Sequence, residues 1–188
     1  MAAGPCAGSD LVLEKVFADP KCRLFDSMFT TVSGPLEAEL TADPPSVAPG
    51  ATTTLKLVLR NKASTPVSLR VAVRQTIHLP IYVRDAQGKT IAPPPGKPDV
   101  KSNPMCAAVD CGFVSMHATI APGGKATWKV PWKASTLTWP KGPQMAQCCE
   151  SGIEPIVGAP LAAGAYDVSI ELLGKAKLAA TTKVTIAP

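Results

Sequence analysis

The chain has 188 residues, of which 18% are charged and 5% aromatic, and a formal net charge of +5. Such a length buries a full hydrophobic core without outside help, and twenty prolines with fourteen glycines exclude a protein of long helices, because both residues interrupt helices. Lysines and arginines are spread singly along the chain, which argues against a nucleic-acid or heparin surface, and no apolar run reaches the ~18 residues of a membrane span.

Residues 1–33 read as an N-terminal extension. Met1 to Cys6 has no basic n-region and no apolar core, so a mature domain lacking its leader is expected. Asp10 to Phe17 (DLVLEKVF) fits a short helix capped by Ser9 or Asp10, and fits a strand as well. Cys6 and Cys22 bracket it, and a bridge between them would tie the segment down.

Residues 34–188 carry period-two patterns. Leu36, Ala38 and Leu40 alternate with Glu37, Glu39 and Thr41. Asp43-Pro44-Pro45 and Pro49-Gly50 mark turns. Leu55, Leu57 and Leu59 then share one face, and Val67, Leu69, Val71 and Val73 share another. Ile81 to Arg84 leads into Asp85-Ala86-Gln87-Gly88-Lys89, which predicts a hairpin with Gly88 at positive φ. A long loop covers 93–115, proline-rich from Pro93 to Pro104. Met116, Ala118 and Ile120 form one short strand, and Ala126, Trp128, Val130 and Trp132 another, with Pro122-Gly123-Gly124 read as the turn of a hairpin between them. A second long irregular segment covers 134–160. Tyr166, Val168, Ile170 and Leu172, and then Thr182, Val184 and Ile186, complete the chain. Seven to nine short strands, one face wet and one dry, predict an all-β, immunoglobulin-like antiparallel β-sandwich with two long disulfide-linked loops. Within Leu161–Tyr166 (LAAGAY), Gly164 and Tyr166 fit the corner at which a tyrosine hydroxyl bonds back to upstream backbone.

Three stretches also carry a family resemblance: Ile81–Ile91 (IYVRDAQGKTI), Ile120-Ala121-Pro122-Gly123-Gly124 with Trp128, and Leu161–Tyr166. In this order, over roughly 35–188, the chain resembles the bacterial BsuPI-type proteinase inhibitors and, more widely, bacterial immunoglobulin-like accessory domains. The resemblance implies the fold first and an inhibitory activity second, and it transfers no reactive-site residue.

Six cysteines form an even set, and no C-x-x-C occurs. Disulfides in an oxidising compartment (periplasm, cell surface or medium) are the expectation. The predicted hairpin at 122–124 would send both long loops out of one end of the sandwich. Cys106 and Cys111 would then cross-bridge to Cys148 and Cys149 in an order the sequence leaves open. A local Cys106–Cys111 bridge is the other arrangement, and it leaves Cys148–Cys149 as a strained vicinal pair.

Loops held on a rigid scaffold are where function concentrates. The expected role is therefore a non-catalytic binding or accessory module with a protein partner rather than a nucleic acid or a small molecule. Trp139, Pro104 and Met105 are the loop-surface contact candidates. Trp139, beside Pro140, could act as an interface anchor or fold down as a lid. Two alternatives stand beside this one. One is a proteinase inhibitor, with 93–105 as its extended loop. The other is a periplasmic copper or zinc protein, because Met105, Cys106, Cys111, Met116, His117, Met145, Cys148 and Cys149 are soft ligands. Met116 falls on an inward strand position, His117 on an outward one, and oxidised cysteines are not thiolate ligands, so no metal is assigned. His78 reads as a strand-edge residue. No nucleophile elbow, H-E-x-x-H or phosphate-cradling glycine loop is present, so neither an enzyme nor a cofactor is expected.

Overall fold

The structure, a computed structural model, describes residues 4–24, 31–73, 81–94, 96–101, 114–145, 155–172 and 178–188. The elements run in chain order as follows: β1 (Ala7–Val12), α1 (Leu13–Ala18), a 3-10 turn (Pro20–Cys22), β2 (Arg23–Leu24), β3 (Thr31–Val32), β4 (Glu37–Asp43), β5 (Ser46–Val47), β6 (Thr52–Arg60), β7 (Val67–Val73), β8 (Ile81–Arg84), β9 (Thr90–Ala92), β10 (Val100–Lys101), β11 (Val114–Lys133), β12 (Ser135–Thr138), β13 (Gln144–Met145), β14 (Ile156–Pro160), β15 (Gly164–Leu172) and β16 (Leu178–Ile186). The fold is an all-β, immunoglobulin-like sandwich. One sheet follows the order β3-β7-β11-β6-β4 with β1 and β2 added on β11, and the other follows β5-β16-β15-β8-β9.

The alternations place the core as the sequence suggests. Leu55, Leu57, Leu59, Leu69, Ala118, Ile120 and Trp128 from the first sheet meet Val83, Val168, Ile170, Val184 and Ile186 from the second, all buried. Removing aliphatic and aromatic surface from water on this scale is the main stabilising term. The wet faces carry the lysines, glutamates and threonines that alternate with these residues.

Asp10 to Phe17 contains both of the expected structures in succession, but Ser9 and Asp10 lie in the strand and do not cap the helix, whose N-cap is Val12 with no side-chain hydrogen bond. Residues through Val12 form β1, which pairs parallel with β11, and Leu13 begins the helix. Leu13, Val16 and Phe17 are buried, and Phe17 meets Trp128 edge-on, with ring centroids 5.2 Å apart. Their i, i+3, i+4 spacing gives a single turn of helix its apolar face. The last β1 pair is Val12 with Thr127. Beyond it, the backbone N–H of Lys129 donates to the Glu14 carboxylate, so a side chain on α1 continues the ladder. A disulfide joins Cys6 to Cys22 and closes this excursion, with Cys22 fully buried.

The hairpin expected around Pro122–Gly124 does not form. β11 is one strand of 20 residues. β1 runs parallel beside both of its halves, pairing Ala7 and Gly8 with Thr119 and Ile120, then Asp10 to Val12 with Lys125 to Thr127. On the other side β7 covers 114–120 and β6 covers 125–133, both antiparallel. The two halves therefore point the same way, and 121–124 is a bulge in the strand rather than a reversal. The neighbours decide this. The 61–66 connector between β6 and β7 bulges at the same level, as does 33–36 between β3 and β4, so irregularity crosses the sheet as a belt. Pro-Gly-Gly chemistry serves a bulge as readily as a turn. One consequence follows for the loops: Val114 and Lys133 lie at opposite ends of β11.

Candidate functional site: a stitched loop pair and a charged belt

The two long loops nevertheless meet, for a reason the sequence did not show. β10 pairs parallel with β13, Val100 opposite Gln144 and Lys101 opposite Met145, and the Gln144 N–H donates to the Asp99 carbonyl at 2.7 Å. β12 pairs antiparallel with β14. Three of the exposed large apolar residues, Val100, Ile156 and Val157, sit on these small strands, and Val157 is 56% exposed. β14 has no charged residue, although charge is a usual way to blunt an exposed strand. Trp139 lies just after β12 and is partly buried, intermediate between the anchor and the lid.

Pro104, Met105, Cys106, Cys111, Cys148, Cys149 and His78 lie outside the described residues. Met116 is buried among the core residues, and His117, next along β11, is partly exposed on the outer face opposite Arg70. Among the described residues, no three His, Cys, Asp or Glu side chains gather as a metal site would require. Shortly after β14, Tyr166 is buried, and its hydroxyl donates to the Ala162 carbonyl at 3.0 Å. Gly164, at φ +153°, turns the chain into β15 just before it, in a backbone region that favours glycine.

Sequence reading missed the belt. Asn61 is fully buried at its centre. Its Nδ2 donates to the carbonyls of Thr65 (2.9 Å), Ile120 (3.0 Å) and Ala121 (3.1 Å), while its Oδ1 accepts from the Ala63 N–H. Its own N–H donates to the Gly124 carbonyl. One side chain thus satisfies the backbone groups that two facing bulges withhold from the ladder, as buried polar groups require. Gly124 permits the fit, because a Cβ there would lie 2.9 Å from the Cα of Ser9 on β1. A hollow of about 230 Å³ opens over the belt, lined by Ser9, Asp10, Arg60, Asn61, Lys62, Lys125 and the glycine pair 123–124.

The register arranges the charges around it. Asp10, Lys125, Arg60 and Glu37 are cross-strand neighbours in one row over four strands. Arg60 pairs with Glu39 at 3.3 Å, Lys62 with Glu37 at 3.6 Å and Lys125 with Asp10 at 3.4 Å, all largely exposed. Exposed pairs of this kind contribute at most about 1 kcal/mol each. A sign in the sequence was available: the cations flank two separate Gly/Asn-containing irregularities. Only register brings them face to face. Elsewhere, burial, and then the Glu171 carboxylate, raise the Tyr82 phenol above its ordinary value on the second sheet.

No family model and no curated protein matches the chain. Among solved structures, the chain is similar to the CARDB domain of a Pyrococcus furiosus protein, crystallised with two metal ions, at 10% identity and TM-score 0.34 over 86% of this chain and 97% of that one. It is also similar to a β-glucosidase from Erythrobacter marinus, at 9% identity and TM-score 0.39 over 84% of this chain and 16% of that one.

Proposed function

We propose that this protein is a non-catalytic extracytoplasmic binding or accessory module whose contact surface for a protein partner is the stitched loop pair. The parallel β10–β13 pairing carries the reading. Parallel pairing puts Lys101 and Met145, the last paired residues of the two short strands, side by side at the same end. Cys106 and Cys111 come five and ten residues after Lys101, and Cys148 and Cys149 three and four after Met145. Disulfides between the two groups would hold the surface rigid, and Val100, Ile156, Val157 and Trp139 would supply its apolar contacts. The Cys6–Cys22 bond is compatible with an oxidising compartment, and among the described residues no helix is long and apolar enough to cross a membrane.

Photoreactive side chains at positions 100, 139 and 156, expressed in the native envelope, test the surface. Adducts of one common mass at these positions, and none at 56 or 183, are expected. Adducts scattered equally over all five positions, or none at all, overturn the reading. Peptide mapping without reductant tests the staple. Linked 106/111 and 148/149 peptides support it, and free thiols at those positions refute it.

A further inference from the structure

We propose that the hollow over the belt is a binding site for a doubly charged tetrahedral oxyanion, a phosphate or sulfate group. This is independent of the loop surface and extends the protein's binding beyond a protein partner. Lys125 and Arg60 are directly opposite on adjacent strands, an arrangement that is unfavourable for like charges. Lys62 follows two residues after Arg60 and lines the same hollow. The lining therefore holds three cations against the single carboxylate of Asp10. Glu37 and Glu39 stand on β4 outside the lining, so the acids draw the cations to its rim without filling it.

Donors remain for a ligand. A guanidinium has five N–H groups in a planar fork and an ammonium has three. Arg60 commits Nη2 to Glu39, and the two lysines meet their acids at 3.4 and 3.6 Å. An oxyanion between Lys125 and Arg60 would turn a like-charge repulsion into two charge-assisted contacts, which are the strong class of hydrogen bond. Ser9 lines the wall, and Gly123, where a Cβ would meet nothing within 4 Å, leaves the backbone open to an approaching oxygen. At about 230 Å³ the hollow is below the range of sites for whole drug-sized ligands. It fits one charged group, free or carried on a larger molecule. The belt holds the cations in place, because Asn61 fastens the connector that links Arg60 to Lys62.

Amide NMR at constant ionic strength tests this, with chloride replaced in steps by inorganic phosphate, by sulfate, or by glycerol 3-phosphate. Saturable shifts at Gly123, Gly124 and Asn61 are expected. Lys125→Gln and Lys62→Gln, both at exposed positions, should each weaken binding about tenfold. Lys183→Gln on β16 makes the same charge change far along the chain and should leave the titration unaltered. Phosphate should also raise the unfolding temperature of the parent protein and not that of Lys125→Gln. Tighter binding of the ester would mark a group carried on a larger molecule, and equal binding a free ion. Shifts that grow linearly without saturating overturn the proposal. So does a loss as large in Lys183→Gln as in Lys125→Gln.

Discussion

Replacing Asn61 with alanine should destabilise the protein by far more than an average polar substitution. The amide carries two N–H donors and one carbonyl, and all are used: Nδ2 serves three backbone carbonyls and Oδ1 accepts from Ala63. At about 1 kcal/mol per neutral bond, two hydrogens and one oxygen amount to about 3 kcal/mol. The Ile120 contact is fully buried, so that carbonyl is left unsatisfied and raises the figure. The Thr65 and Ala63 contacts are only part-buried, so water recovers some of that loss. Urea unfolding should show the midpoint falling with an unchanged slope, the mark of lost stability rather than altered compactness. Asn61→Asp keeps the shape but turns a carboxylate toward the same carbonyls. Its folded pKa would be raised, so its contribution is present below the unfolded value of about 3.9 and is lost as pH rises through the folded one. The aspartate variant should therefore regain stability on acidification relative to the parent. A loss below about 0.5 kcal/mol for the alanine variant, or an aspartate variant as stable as the parent at neutral pH, would refute the clasp.

Cys22→Ser opens a loop of 16 residues and should cost about 3 kcal/mol in thermal or urea unfolding, with faster hydrogen exchange confined first to β1 and α1. Tyr166→Phe removes the bond to the Ala162 carbonyl and should cost about 1 kcal/mol by the same measurement. The raised Tyr82 pKa means that the folded protein holds the phenolic proton more tightly than the unfolded chain. That stability is fully present below pH 10.0 and is lost as pH rises through the folded value. The unfolding midpoint should fall over this range in the parent and fall less in Tyr82→Phe. Ultraviolet titration of Glu171→Gln should show the phenol ionising at lower pH than in the parent.

Much of the architecture is local, and so the sequence by itself determined it. A strand has a side-chain period of two, and Leu55-Leu57-Leu59 or Val168-Ile170 therefore declares which face is buried without reference to any partner. The turn at Asp85–Lys89 is equally local: Gly88 takes φ +77°, and Asp85 bonds the backbone of Gln87 and Lys89. The Tyr166 contact spans only four residues. Direction and partnership are not local, and only the tertiary structure decided them. Pro122-Gly123-Gly124 is compatible with reversal or with a bulge, and the choice fell to β1 and to the 61–66 connector with its Asn61, both distant in sequence. The same holds for the meeting of the long loops, which rests on two residue pairs more than forty positions apart. It holds too for Lys125 and Arg60, each an ordinary solvated cation in its own strand. Alternation assigns a side chain to a face, but only hydrogen-bonded register says which charge lies across from it.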